Sequence, residues 1–135
     1  MCCNPLTIKK MLEMMDQAPS LVSLACSFLG DTFSINDKVI DTFLLNHGLN
    51  ILNKYLSPQN SHSLNYDIVF AISNIAAGSP DQINQIISHG EILPKIFSLF
   101  WFYQNPSEEY KQIKKTLLLV FVNMIYSIED NHLLM

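Results

Sequence analysis

The sequence predicts an all-α fold, a helical repeat solenoid forming a single domain over residues 1–135. Two observations predict it. Glycine and proline occur only where apolar segments with helical periodicity begin or end, and related apolar stretches recur along the chain at a nearly constant spacing. No segment shows the alternation of a strand, and a hydrophobic content of 49 % is sufficient for a sizeable core.

Helix start and stop signals divide the chain. Ser79, Pro80 and Asp81 indicate a helix start, since proline suits the first turn and an acid suits the positive end of the helix dipole. Gly48 and Gly90 are expected to end helices by adopting the left-handed conformation. The predicted helices lie near residues 5–16, 20–32, 36–47, 49–57, 63–77, 80–89, 91–103 and 107–128.

The internal repeat is most visible at three lysines that stand in similar apolar contexts. Lys10, Lys54 and Lys95 are separated by 44 and 41 residues, a period typical of HEAT and armadillo arrays. With three helices to a repeat, the chain reads as a partial repeat and two full ones. The first and last helices are more apolar than the terminal helices of a repeat array usually are. We therefore expect one end of the array to pack on another copy or on more chain. The predicted boundaries are 5–34, 36–78 and 80–128.

The charge composition of the chain restricts the classes of molecule that it is expected to bind. The net charge is −4, with eight cationic residues that are all lysine, and the absence of arginine argues against nucleic acid as a ligand. A mildly acidic surface favours a basic partner. Cys26 is expected in the core, and acylation of Cys2 or Cys3 is disfavoured because no glycine follows Met1. With neither a secretory signal nor a bilayer-spanning run, we expect no membrane association and a location in the cytoplasm and nucleus.

The sequence contains no constellation that predicts catalysis. It lacks the Gly-x-Ser-x-Gly elbow, a glycine-rich phosphate loop and a zinc-ligand spacing of Cys and His. His47 and His89 each precede a glycine at a predicted helix end, where a partial positive charge is favoured, so they need no catalytic or metal role. We therefore expect a non-enzyme with no catalytic residue, no metal and no cofactor.

The segment 70–83, read as Phe-Ala-Ile-Ser-Asn-Ile-Ala-Ala-Gly-Ser-Pro-Asp-Gln-Ile, resembles the armadillo repeats of importin-α. In that family the third helix of a repeat carries a Trp-x-x-x-Asn pattern and lines a concave groove. The resemblance implies an adaptor that binds basic nuclear-localisation-type peptides for protein import into the nucleus. The chain departs from the family pattern at its N-terminus, where we expect the basic segment that binds importin-β to be absent.

The same resemblance implies which residues bind the peptide. Asp67, Phe70 and Asn74 share one helix face because they are spaced i, i+3 and i+7. Asparagine would hold the peptide backbone, the aromatic ring would hold a lysine or arginine stem, and the carboxylate would pair with its tip. The family's asparagine position is occupied here by Asp31, Asn74 and Asn123. Its aromatic position is occupied by Ser27, Phe70 and Leu119, and its acidic position by Leu24, Asp67 and Thr116.

Each residue also has a purely structural interpretation. Asn74 could brace a turn, Phe70 could belong to the core, and Asn123 could be a buried residue with a backbone partner. Trp101 is expected to pack between repeats, whereas an exposed Trp101 would mark a protein contact. The alternative function is thus an armadillo scaffold or regulatory protein with a vestigial groove, docking to a protein partner or self-associating through its apolar end helices.

Overall fold

The computed structural model describes the backbone of residues 4–133 and the side chains of residues 4–126. Within this range the protein is all-helical, with no strand. Two single-turn 3-10 helices, Pro19–Leu21 and Glu108–Tyr110, precede the second and the last α-helix. The α-helices are α1 (Pro5–Gln17), α2 (Val22–Phe33), α3 (Asp37–Leu45), α4 (Gly48–Tyr55), α5 (His62–Ala76), α6 (Pro80–His89), α7 (Ile92–Phe102) and α8 (Lys111–Leu133).

These helices correspond one to one with the predicted segments, and capping residues define the starts of α1, α3, α5 and α6. The side chains of Asn4, Asn36 and Ser61 accept a hydrogen bond from a backbone N–H in the first turn of α1, α3 and α5. Ser79 and Gln82 form a reciprocal capping box at α6, and Pro80 occupies its first turn as expected. These caps satisfy backbone donors that a helix leaves without an internal partner.

The two predicted glycine stops have different outcomes. Gly90 follows α6 with a φ of 83°, which confirms the left-handed helix end. The prediction for Gly48 is wrong, because His47 takes the left-handed conformation (φ 63°) and Gly48 is the first residue of α4. Gly48 is required for a different reason: a Cβ atom there would collide with the ring of Phe43.

Three helices, α2, α5 and α8, lie side by side and make the most extensive contacts in the molecule. The Ser23 hydroxyl of α2 donates to the Asp67 carboxylate of α5, and the Asn74 amide of α5 donates to the Gly30 carbonyl of α2. Both bonds join residues 44 positions apart, so α2 and α5 run in the same direction. The Gln112–Tyr66 and Asn123–Ser73 bonds give α8 the same direction relative to α5.

Comparable bonds link the other helices. Lys54 of α4 donates to the Asp16 carboxylate at the end of α1 (2.9 Å), and Lys95 of α7 donates to the Asn53 carbonyl of α4 (2.5 Å). Gln82 of α6 donates to the Asp41 carboxylate of α3 (2.9 Å). Lys54 and Lys95 thus each contact an earlier helix, but Lys54 pairs with a carboxylate and Lys95 with a backbone carbonyl.

The core is one continuous apolar cluster to which every α-helix contributes. Cys26 is buried within it, as predicted. The cluster also contains a polar contact that the sequence does not indicate: the fully buried Asn65 amide donates to the Tyr103 hydroxyl at 2.8 Å and to the Ser57 carbonyl at 2.8 Å. Pairing removes the penalty of burying these polar groups.

Cys2 and Cys3, which were considered as acylation sites, lie outside the described residues. In the described part of the chain, none of the helices has both the length and the apolarity to cross a membrane.

Candidate functional site

The asparagine positions of the predicted site lie in corresponding places on the three parallel helices. The Asn74 amide donates to the carbonyl of Gly30, directly before Asp31, at 2.8 Å. The Asn123 amide donates to the carbonyl of Ser73, directly before Asn74, at 3.0 Å. Each asparagine therefore braces the preceding helix. Asn123 has the backbone partner of its structural interpretation, whereas Asn74 bonds to another helix and not to the turn beside it. An asparagine amide has a second N–H and a carbonyl, so each half-buried side chain retains capacity for another partner.

The helices α2 and α5 each carry one of the predicted acidic site residues, and one of the two carboxylates is bonded across their junction. Asp67 is half-buried, and the Ser23 hydroxyl donates a hydrogen bond to it across the junction. Asp31 is exposed near the end of α2, and its backbone carbonyl accepts a bond from the Ser34 hydroxyl at 2.7 Å. A carboxylate accepts several hydrogen bonds, so Asp67 remains able to pair with a cation. The α2–α5 junction is consequently acidic.

Phe70 is half-buried and connects the two sides of α5. On the α2 side its ring covers Gly30 so closely that a Cβ atom at position 30 would overlap ring carbons. Along α5 its ring stacks on that of Tyr66, with centroids 6.0 Å apart and an interplanar angle of 16°. One side of the Phe70 ring is therefore packed, and another side lines an open cleft.

That cleft, of about 490 Å³, lies between α5 and α8 and contains residues that the sequence interpretation did not select. Tyr66 and Phe70 form one wall, whereas Lys111 and Lys115 stand on the other helix. A signal was present in the sequence, since residues four apart share a helix face and both pairs have that spacing. The complete lining is Tyr66, Phe70, Glu108, Lys111, Gln112, Lys115, Thr116 and Leu119.

The structure thus brings three predicted site residues to the α2–α5 junction, namely Asp67, Phe70 and Asn74. Asp31 follows the Gly30 carbonyl that Asn74 contacts, and Asn123 lies one junction further on. The remaining family positions are less favourable for a cationic side chain. Thr116 is buried, and its hydroxyl donates to the Gln112 carbonyl of its own helix at 2.9 Å.

Apolar surface is exposed at both ends of the helix stack. A groove of about 510 Å³ between α1 and α2 has an almost entirely apolar lining that includes Met11, Met14 and Phe28. On α8, Leu118 and Val122 are exposed. The expectation that Trp101 packs between repeats is wrong, because its side chain is 70 % exposed. Such surfaces are typical of protein contacts.

The thiol of Cys26 is expected to be unreactive. Burial, followed by the nearby charge of Asp67, raises its pKa from 9.0 to about 12, so it remains protonated at neutral pH. A thiol is a weak nucleophile unless it is ionised. In the described part of the chain, no group of three or more His, Cys, Asp or Glu side chains is arranged to hold a metal ion.

Comparison with known proteins does not extend this picture: no family model, curated protein or solved structure matches the chain. The class of protein must therefore be argued from the geometry alone.

Proposed function

We propose that the chain is an importin-α-like armadillo protein, with a partial repeat over 5–34 and repeats over 36–78 and 80–128. In this proposal α2, α5 and α8 are the third helices of successive repeats and form a face that binds an extended peptide. The observation that supports it most is the register of Asp31, Asn74 and Asn123, where each asparagine bonds to the carbonyl directly before the equivalent residue of the preceding helix.

The bound peptide is basic in this proposal, and its site is the acidic α2–α5 junction. The free N–H and carbonyl of the Asn74 side chain pair with the peptide backbone, which an extended chain leaves unpaired. A lysine or arginine stem lies along Phe70, with a cation–π contribution, and its tip pairs with Asp67 or Asp31. Only one junction has all these groups, so binding is weak and salt-sensitive. The function that follows is nuclear-import cargo binding in the cytoplasm and nucleus.

The test is a fluorescence-anisotropy titration of a Lys/Arg-rich peptide at low and moderate salt. We expect salt-sensitive binding that Asp67→Asn and Asn74→Ala each weaken by about 1 kcal/mol or more. The matched control is Glu13→Gln, which removes the same charge from an exposed residue near α3 and α4. Absence of binding at millimolar protein, or equal weakening by Glu13→Gln and Asp67→Asn, would contradict the proposal.

A second candidate is favoured by the apolar ends of the stack. In that case the groove is vestigial and the chain is a scaffold that docks to a protein partner or to a second copy through the α1–α2 groove or the α8 surface. Flexible methionines suit such an adaptable surface. Sedimentation-equilibrium runs at increasing protein concentration test self-association. A concentration-dependent dimer that Met14→Glu abolishes would support this candidate, and a monomer throughout would remove the self-association part of it.

A further inference from the structure

The α5–α8 cleft differs from the proposed basic-peptide site in the sign of its charge. Lys111 and Lys115 line it, opposed by a single acid, Glu108. Lys111 and Glu108 stand 3.8 Å apart and are 78 % and 91 % exposed, so this contact neutralises little of the local field. Within the described side chains no carboxylate pairs with Lys115. The cleft therefore presents unbalanced positive charge.

The interior of the cleft is apolar and partly aromatic. The stacked rings of Tyr66 and Phe70 form the α5 wall, and Leu119, 42 % exposed, stands on the α8 wall. The Gln112 amide donates to the Tyr66 hydroxyl at 3.2 Å and closes the cleft at one point between the helices. An apolar side chain entering between Phe70 and Leu119 would bury surface that is now exposed to water.

Asp67, the one acidic residue of α5, is engaged at the other junction. Asp67 accepts its hydrogen bond from Ser23 of α2 and is not part of the cleft lining. A basic side chain in the cleft would meet Lys111 and Lys115 and be repelled, whereas a carboxylate would be attracted. Charge complementarity therefore selects an acidic occupant.

The length of the cleft selects a peptide segment. Its α8 lining extends from Lys111 to Leu119, which at 1.5 Å per residue is roughly 12 Å. An extended chain rises about 3.3 Å per residue, so roughly four residues span the cleft. The site is open along its length, which suits an extended segment better than an enclosed small molecule.

We propose that this cleft binds an acidic extended peptide, with an apolar side chain between Phe70 and Leu119 and a neighbouring carboxylate paired with Lys115. The site shares the Phe70 ring with the basic-peptide site at the α2–α5 junction, but its lysines are on α8, so it does not depend on Asp67 or Asn74. A single peptide that occupied both would carry its basic part over α2–α5 and its acidic part over α5–α8.

The test uses two fluorescent peptides that share one leucine-containing core, flanked in one by glutamates and in the other by lysines. We expect the acidic peptide to bind the whole chain and the lysine peptide to leave the cleft empty. Lys115→Glu should weaken the acidic peptide about tenfold and Lys115→Gln about threefold, as expected for exposed ion pairs. Raised salt should reduce the difference between wild type and Lys115→Gln.

Lys114→Glu is the matched control, because Lys114 directly precedes Lys115 on α8 and is not part of the cleft lining. We expect it to change the affinity by less than about twofold, since Lys114 does not line the cleft and salt screens its charge. Far-ultraviolet circular dichroism verifies that both variants fold. Equal weakening by Lys114→Glu and Lys115→Glu, or no binding of the acidic peptide at millimolar protein, would overturn the proposal.

The Asp67→Asn variant separates this site from the proposed basic-peptide site. We expect Asp67→Asn to leave the acidic peptide's affinity unchanged within about twofold, because Asp67 faces the other junction. If the basic peptide fails to bind while the acidic peptide binds through Lys115, the proposed function fails and this inference stands. A tenfold loss of acidic-peptide binding in Asp67→Asn would count against two separate sites.

Discussion

The α2–α5 and α5–α8 junctions use the same helix arrangement, yet one is filled and acidic whereas the other is open and basic. At the first, the Phe70 ring packs on Gly30, and the carboxylate of Asp67 accepts a hydrogen bond from Ser23 across the junction. At the second, Leu119 occupies the position of the ring, and a cleft of about 490 Å³ remains beside the lysines of α8. Similar helix packing can therefore carry opposite charge, because the packing residues and the charged residues lie at different helix positions.

The largest expected change in the free energy of unfolding tests the close contact between Gly30 and the Phe70 ring at the α2–α5 junction. Alanine normally stabilises a helix interior by about 1 kcal/mol relative to glycine. We expect Gly30→Ala to lower the free energy of unfolding by about 1–3 kcal/mol instead, because the new Cβ overlaps the Phe70 ring. Urea unfolding measures it. In a Phe70→Ala background the same substitution should be neutral or stabilising, and a gain of stability in the wild-type background would contradict the packing described here.

The next effect is a fall in the free energy of unfolding at alkaline pH, caused by Cys26 of α2. The folded protein raises the pKa of Cys26 from 9.0 to about 12, so folding favours the neutral thiol. This stabilisation is fully present below pH 9.0 and is lost as the pH rises toward 12, with a slope of about 1.4 kcal/mol per pH unit for one proton. Burial also raises the pKa of Tyr103, which acts in the same direction.

Cys26→Ala isolates the contribution of the thiol. Removing a buried side chain lowers stability at every pH, but the slope between pH 9 and 11 should become shallower by about one proton. Urea unfolding at several pH values compares the two proteins. Parallel curves for wild type and Cys26→Ala would show that the thiol does not titrate as its burial requires.

The smallest effect compares the asparagine braces. Asn74→Ala and Asn123→Ala each remove one amide-to-carbonyl bond, while the carbonyls of Gly30 and Ser73 retain a backbone N–H from their own helix. We expect similar losses of about 0.5–1.5 kcal/mol in the free energy of unfolding. Chemical denaturation of both variants provides the comparison. A large loss for one only would indicate that the two junctions do not share this brace.

Helix positions could be predicted from the sequence because they depend on local signals. Asn4, Asn36, Ser61 and Ser79 cap helices through nearby backbone N–H groups, so their effect is legible within a few residues. Gly48 was misjudged because its neighbour His47 took the left-handed conformation, and what Gly48 provides is space for Phe43. That requirement depends on packing across α3 and α4.

The candidate site could be predicted only in part for a related reason. Spacing placed Asp67, Phe70 and Asn74 on one face of α5, but it did not indicate which neighbouring helix each would contact. The spacing of Lys111 and Lys115 likewise placed them on one face of α8, but the helix that this face contacts depends on packing between segments distant in the sequence. The hydrogen bond from Ser23 to Asp67 joins residues 44 positions apart and has no local signal.

The most direct test of the opposite junctions is a nuclear magnetic resonance titration of the isotope-labelled chain with the basic and the acidic peptide in turn. The account predicts that the basic peptide shifts the backbone amides of Asp31 and Asn74, whereas the acidic peptide shifts those of Lys115 and Leu119. If both peptides shift the same set of amides, the two junctions do not differ in the ligand they select, and the central claim is wrong.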